Sequence, residues 1–362
     1  MNIVMAISSL GCGGAERALS ILSEQFQRQG HRITVVTLAS SRKDFFALAP
    51  GISRIELDMQ RPSSGAFNAV SNNVARCAAL RRVYRQEKPD VVVAFMSKPG
   101  ILGTLASIGT GIPVIIAEHN DPRQQKLGFF WRSIQKIAYR YADELVFLTE
   151  ELASYAKERY GREEVVVIPN PVIAPEFGEP EINLPGRFIA GMGRLVGLKG
   201  FDRLIKAYAK LDRQDVMLVI LGDGPDRIAL SKLADDLGVG SRVILPGNVR
   251  SPQSILRCAE LYVLPSRTEA FPMALVEAMA CSTAPVSFDC QSGPAEIISD
   301  GDNGVLVPEG DIDALAEAMA VLLCDQKLRQ HIARNAGMVV SRFDVGAVTN
   351  RWMELICTLK TA

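Results

Sequence analysis

Phe188-Ile189-Ala190-Gly191-Met192-Gly193-Arg194-Leu195-Val196-Gly197-Leu198-Lys199-Gly200 decides how this chain reads. An apolar run of strand length passes into a glycine-rich turn carrying two cations, and a helical pattern over 200–211 follows. Glycines let backbone approach a ligand closely. An arginine there can grip phosphate oxygens in a fork, and a lysine adds a point charge beside it. The stretch also restarts a strand–helix alternation that already fills the first half. Upstream, strands are expected at 2–8, 32–38, 53–58, 91–95, 114–117, 143–148 and 164–168, with helices at 14–29, 66–87, 99–108, 124–141 and 150–159. Downstream, strands are expected near 187–191, 216–221, 242–245, 260–264, 285–287 and 304–307. Helices are expected at 200–211, 226–237 and 311–337, and a last one from Asp344 as its cap to about Leu359. Alternation of this kind, with runs such as Val91-Val92-Val93, indicates parallel sheets covered on both faces. A chain of 362 residues is long for one core, so two domains are expected, joined by the proline-bearing stretch from Pro169 to Pro185.

In the second half, Pro265-Ser266-Arg267-Thr268-Glu269-Ala270-Phe271-Pro272-Met273-Ala274-Leu275-Val276-Glu277 runs from a loop into an apolar helix. It places Glu269 on the loop and Glu277 about a turn inside the helix, so both can face one crevice at the carboxyl end of a strand. Carboxylates there accept hydrogen bonds from sugar or ribose hydroxyls, and amides at the helix start can hold a phosphate. A polyol phosphate such as a nucleotide sugar needs that combination. Taken alone, the two glutamates also fit a solvated loop acid and a surface helix position.

The G-R-L-x3-K-G stretch followed by the paired glutamates resembles the nucleotide-sugar-dependent glycosyltransferases of family 4. Leu221-Gly222-Asp223-Gly224-Pro225, Leu245-Pro246-Gly247-Asn248-Val249, and Glu296-Ile297-Ile298 with Gly301-Asp302-Asn303-Gly304 fall in the family's order, and the resemblance covers essentially the whole chain. It implies an α/β protein of the GT-B class, with two Rossmann-like parallel-sheet domains facing a central cleft. Residues 1–170 would bind the acceptor, residues 171–343 the nucleotide sugar, and residues 344–362 would form a helix crossing back onto the amino-terminal domain. It implies a retaining transfer of a hexose or N-acetylhexosamine, with UDP as the expected nucleotide. His119, Arg194, Lys199 and Glu269 would be the catalytic residues. The donor would be bound by Arg194, Lys199, Asn248, Glu269, Phe271, Ala274, Leu275 and Glu277: Glu269 on the sugar, Glu277 on the ribose diol, and the Asn248 region on the base through backbone. Gly13-Gly14-Ala15-Glu16-Arg17 resembles members that elongate polyprenyl-diphosphate-linked glycans in surface polysaccharide biosynthesis, with Gly13 and Gly14 in substrate binding. A nucleotide-sugar epimerase of the same architecture and a non-catalytic sugar-nucleotide-binding protein are the alternatives.

Net charge is zero, but residues 1–140 hold 18 Lys and Arg against 9 Asp and Glu. That excess points to an anionic partner, either a pyrophosphate or an acidic membrane surface. Nucleic acid is not expected, because no recognition motif or basic–aromatic platform accompanies the charge. The segment 123–140 carries Arg123, Lys126, Arg132, Lys136 and Arg140 among Phe129, Phe130 and Trp131, and Arg76, Arg81, Arg82, Arg85 and Lys88 form a second basic helix. Either could meet an anionic membrane or a lipid pyrophosphate; equally, the aromatics could face the core with the cations solvated. Seven cysteines without a CxxC pair or metal spacing fit reduced thiols in a cytoplasmic protein. The first ten residues suit a strand better than a signal peptide. Thr110-Gly111-Ile112-Pro113 splits the uncharged stretch 99–117 into a helix and a strand, so no membrane span is expected.

A dinucleotide-binding fingerprint is absent. After the first strand, Glu16 stands where G-x-G-x-x-G needs its third glycine, and after Ala190 that place is held by Val196. Asp300-Gly301-Asp302 and Asp311-Ile312-Asp313 have a metal-holding D-x-D form, but turn and cap signals favour structural roles. No metal or cofactor is therefore expected. His119 follows the strand at 114–117 and lies at its carboxyl end, where open α/β sheets place ligands. On its own it reads as a structural histidine; the resemblance makes it a group beside the donor sugar. Glu118 and Asp121 are alternative acids, and Asp223 reads as structural.

Overall fold

The computed structural model describes residues 1–60, 66–125, 128–211 and 213–361. The chain divides into two compact units, Met1–Pro171 with Val345–Ala362, and Val172–Asp344.

The first unit is built on seven parallel strands: β1 (Asn2–Ile7), β2 (Arg32–Thr37), β3 (Ser53–Glu56), β4 (Val91–Phe95), β5 (Val114–Ala117), β6 (Glu144–Phe147) and β7 (Val166–Val167). They lie in the order β3-β2-β1-β4-β5-β6-β7, with Ile3 opposite both Ile33 and Val91. Side chains alternate across a strand, so each face of β1 feeds a different core. Ile3, Met5 and Ile7 pack with Leu19, Leu22 and Phe26 of the helix Gly14–Arg28, and with Val348, Trp352 and Ile356 of the last helix, Val345–Thr361. On the other face, Val4, Val36 and Val92 pack with Leu80, Val83 and Tyr84 of the helix Ala66–Glu87 and with Leu102 and Ala106 of the helix Ser97–Ser107. The last helix therefore completes the first unit's core, and its Trp352 stacks on Phe95 of β4.

The second unit repeats the plan with β8 (Phe188–Met192), β9 (Met217–Leu221), β10 (Val243–Gly247), β11 (Leu261–Leu264), β12 (Ala284–Asp289) and β13 (Val305–Pro308), all parallel and in the order β10-β9-β8-β11-β12-β13. The helical stretch expected over 311–337 consists of two elements, Ile312–Cys324 and Gln326–Gly337. Asp325 separates them because its carboxylate caps the second, accepting from the Leu328 amide. The helix expected from 124 starts at Phe129, because Asp121 draws the Arg123 amide into a turn first.

In each sheet the strand order reverses once, between β1 and β4 and between β8 and β11. The crevice beyond the carboxyl ends of such a strand pair is where doubly wound sheets bind ligands. Among the described residues, no helix is long and apolar enough to cross a membrane. The uncharged stretch before β5 is broken by Gly109 and Gly111, both at positive φ.

Candidate functional site

The richest chemistry of the second unit lies at its strand-order reversal. The segment leaving β8 is braced from below: the Gly193 amide donates to the Leu221 carbonyl at 2.9 Å, and the Leu195 amide to the Asp223 carbonyl at 3.0 Å. That approach requires the glycines of Leu221-Gly222-Asp223-Gly224. A Cβ at Gly222 would run into the Gly193 carbonyl, and one at Gly224 into the Leu195 carbonyl. Arg194, held out by this brace, is exposed, and none of the ion pairs among the described residues includes it.

Lys199 closes the next turn, and Gly200 leaves it at φ 66°, so close beneath the Pro265 carbonyl that a Cβ would collide with it. The Arg267 amide donates to the Leu198 carbonyl at 2.9 Å, and the Arg267 guanidinium forks onto Asp202 at 2.9 and 2.8 Å. The loop after β8 is thereby stitched to the loop after β11. The result is an ion pair between Lys199 Nζ and Glu269 Oε1 at 2.5 Å. Ser266 Oγ donates to the same oxygen at 2.6 Å. Glu269 is only 8 % exposed.

Glu277 sits one turn into the helix Met273–Ala280 and is half-buried. Beneath both glutamates lies Tyr262 of β11, whose hydroxyl donates to the Met192 carbonyl at 3.5 Å. Burial, reinforced by the negative charges of Glu269 and Glu277, holds its phenol well above the ordinary tyrosine range. Burial likewise pushes the Cys290 thiol up to about 12, with Glu269 adding to the shift and Lys199 opposing it. The structure thus gathers Lys199, Glu269 and Glu277 around the ends of β8 and β11. Phe271 is buried edge-on against Phe343, with ring centroids 5.3 Å apart. Leu275 is core, and its amide donates to the Pro272 carbonyl at 3.0 Å. The Ala274 amide makes no such bond among the described residues, so it is the open donor of this helix start. Asn248 is exposed just past β10, two strands from β8 in the sheet.

In the first unit, His119 follows β5 and stacks on Phe95 with centroids 5.1 Å apart. Both of its ring nitrogens are shielded from solvent, and neither has a hydrogen-bond partner among the described residues. Burial pushes its pKa down to about 3, so the ring is neutral at physiological pH. The neighbouring Glu118 has a structural setting: its carboxylate accepts from Ser97, from Tyr139 Oη at 2.5 Å and from the Asn120 amide at 2.9 Å. Burial raises its pKa against those hydrogen bonds. Asp121 is held by Arg123 Nε at 2.9 Å. Gly13 caps the helix Gly14–Arg28, and Glu16 folds its carboxylate back over Gly13, where a Cβ would collide with it. That helix start therefore already carries an anion of its own.

The basic helices divide. Arg123 is tied to Asp121 and Glu151, Arg76 to the Met59 carbonyl, and Arg81 to the Ile108 carbonyl. Arg82, Arg85 and Lys88 are exposed. On the helix Phe129–Tyr141, Arg132, Lys136 and Arg140 recur every four residues on the exposed side, beside Ile137 and Tyr141, which are 54 % and 74 % exposed. Lys126 and the side chains of Phe129 and Phe130 lie outside the described residues. The aspartate pairs are engaged structurally. Asp300 accepts from the Leu306 amide, Asp302 from Asn335, and Asp311 caps its helix, while Asp313 pairs with Lys210.

Three features escaped the sequence reading: Ser266, the Arg267–Asp202 fork and Tyr262. The S-x-x-E spacing of Ser266 and Glu269 is a capping-box signal that could have exposed the first. The fork joins residues 65 apart and leaves no local trace.

Residues 12–174 match the family Glycosyltransferase Family 4, and residues 173–338 match Glycosyl transferases group 1. The chain is 27 % identical over 370 residues, covering 100 % of both chains, to the GalNAc-alpha-(1->4)-GalNAc-alpha-(1->3)-diNAcBac-PP-undecaprenol alpha-1,4-N-acetyl-D-galactosaminyltransferase of Campylobacter jejuni. It is 29 % identical to a lipopolysaccharide core biosynthesis glycosyltransferase of Rhizobium meliloti, over 77 % of this chain and 79 % of that one. Among solved structures it resembles sucrose-phosphate synthase from Thermosynechococcus elongatus, with a TM-score of 0.88 at 18 % identity over 99 % of both chains. It also resembles an Anabaena protein solved in complex with UDP and glucose, with a TM-score of 0.82 at 20 % identity over 99 % of this chain and 100 % of that one. These likenesses show the two-domain fold of that class.

Proposed function

This chain belongs to the glycosyltransferases of group 1 and family 4, and we propose that it moves a hexose or N-acetylhexosamine from a UDP sugar to a hydroxyl of a polyprenyl-diphosphate-linked glycan, with retention at the anomeric carbon. The observation that carries the donor side is the cluster at the β8–β11 reversal, where Lys199 meets Glu269 beside Glu277 while Arg194 stays outside any ion pair among the described residues. A nucleotide sugar offers what this cluster recognises: a diphosphate for Arg194, Lys199 and the Ala274 amide, a ribose diol for Glu277, and sugar hydroxyls for Glu269.

In this reading the reaction is an exchange at the anomeric carbon. The bond to the diphosphate oxygen breaks, and an acceptor hydroxyl forms the new bond on the same face and passes its proton to the departing diphosphate oxygen. Negative charge grows on the leaving diphosphate, and the fixed cations lower the barrier by stabilising it. With Arg194, Lys199 and a helix start on the diphosphate, the reaction needs no metal. His119, neutral and at the carboxyl end of β5, is the group proposed to stand beside the donor sugar; its two shielded nitrogens would have to be uncovered for either to meet a sugar hydroxyl. The acceptor reading rests on the Campylobacter relative, named for an undecaprenol-linked glycan, and on the basic first 140 residues. It places the protein at the cytoplasmic face of a membrane.

The test is incubation with UDP sugars, with and without an undecaprenyl-diphosphate-linked glycan and with excess EDTA throughout. Acceptor-dependent release of UDP supports the reading. Change of the UDP sugar without acceptor would indicate an epimerase, and binding without turnover a carrier of sugar nucleotides. Reversible loss of activity in EDTA would overturn the metal-free part.

A further inference from the structure

We infer that Ser266 is a positioning residue for sugar recognition: its hydroxyl and the Lys199 ammonium together fill one oxygen of Glu269 and so present the other oxygen to a hydroxyl of the donor sugar. The inference rests on the proposed function, in which Glu269 reads the sugar.

A carboxylate oxygen accepts about two hydrogen bonds. Oε1 of Glu269 receives Lys199 Nζ at 2.5 Å and Ser266 Oγ at 2.6 Å, and no described group of the protein donates to Oε2. A carboxylate held by one ammonium alone can swing until both oxygens share the cation. A second donor on the same oxygen breaks that symmetry and fixes the plane of the group. Ser266 is well placed for this because it is fully buried and anchored on both sides. Pro265 before it packs its carbonyl against Gly200, and Arg267 after it is bound to the Leu198 carbonyl and to Asp202. A serine hydroxyl has one proton, and here it is spent on Glu269.

Ser266 therefore acts on the part of the ligand that Glu269 reads. The nucleoside diphosphate is held by other groups, so the sugar's share of the affinity is what Ser266 controls. Calorimetry with UDP, UDP-N-acetylgalactosamine, UDP-N-acetylglucosamine, UDP-galactose and UDP-glucose separates the two shares. In Ser266→Ala, the gain in affinity of the best-bound UDP sugar over UDP falls about ten-fold, as expected for a misaligned hydrogen bond to a charged group. UDP itself binds within about two-fold of the parent. Ser266→Thr, which keeps the hydroxyl, restores most of the gain. An equal fall for UDP and UDP sugar, or an unchanged gain, overturns the inference, since a merely structural role would move both ligands together. A parent protein that binds UDP but gains nothing from any of the four sugars overturns it as well. Failure of the parent to bind UDP or any UDP sugar would instead sink the proposed function, and this inference with it.

Discussion

The Lys199 ammonium and the Glu269 carboxylate stand 70 residues apart in sequence and 2.5 Å apart in space. They bridge the loops that leave two neighbouring parallel strands, β8 and β11. The contact joins stability to chemistry, because the same lysine neutralises a nearly buried carboxylate and is the proposed partner of the diphosphate.

That double duty separates Lys199 from Arg194. Lys199→Ala leaves Glu269 buried with a single donor, so it costs about 1–3 kcal/mol of stability as well as turnover. Arg194→Ala, at an exposed side chain outside any ion pair among the described residues, changes stability by less than about 0.5 kcal/mol. Both lower turnover, by about 100-fold or more if each stabilises the leaving diphosphate. Thermal melts beside steady-state kinetics check the contrast. Equal melting points for the two variants would contradict it.

The strands were legible in the sequence because β-branched apolar runs such as Val91-Val92-Val93 are buried on both faces, which leaves little choice of structure. The one-turn helices Pro252–Leu256, Pro294–Ile297 and Val339–Arg342 were not legible, since so short a segment carries no period. At the site, Arg194, Lys199, Glu269 and Glu277 could be picked out because motifs keep their spacing. Tyr262 could not, because what it does depends on neighbours brought by other strands, whereas Ser266 left only the local S-x-x-E spacing to Glu269. The engagement of Arg76, Arg81 and Arg123 was hidden for the same reason: a basic helix looks alike in sequence whether its cations bind carbonyls or water.

The brace beneath Arg194 predicts a position-specific glycine effect. Gly222→Ala meets both a φ of 127° and the Gly193 carbonyl, so it costs about 1–3 kcal/mol and displaces the loop that carries Arg194. Gly238→Ala shares a positive φ of 72° but meets open space, so it costs about 1 kcal/mol and leaves kcat unchanged. If both variants lower kcat alike, the brace has no role in the site.

His119 predicts a pH signature. Its pKa is about 3 when folded, against about 6.5 when unfolded, so the unfolded chain binds the extra proton between those values. The stability due to the neutral ring is fully present above about pH 6.5 and declines as pH falls towards 3. His119→Phe, which keeps an aromatic ring against Phe95, flattens that slope in chemical denaturation. A parent and variant with parallel slopes would show that the ring is not held neutral.

The exposed row Arg132, Lys136 and Arg140 beside Ile137 and Tyr141 predicts adhesion to anionic lipid. Salt screens such charges over about 8–10 Å, so sedimentation with phosphatidylglycerol vesicles should fall as salt rises. Replacing all three cations with glutamine should abolish most of it without changing UDP affinity. Sedimentation that responds to neither change would point to a soluble acceptor.

The claim that the second unit holds the nucleotide is tested most directly by titrating UDP into the parent and into Glu277→Ala. Alanine favours helix, so the helix Met273–Ala280 keeps its structure. Loss of charge-assisted hydrogen bonds to the ribose weakens UDP binding by about 1–3 kcal/mol, or roughly five- to 150-fold. Unchanged UDP affinity in a folded Glu277→Ala protein would contradict the account.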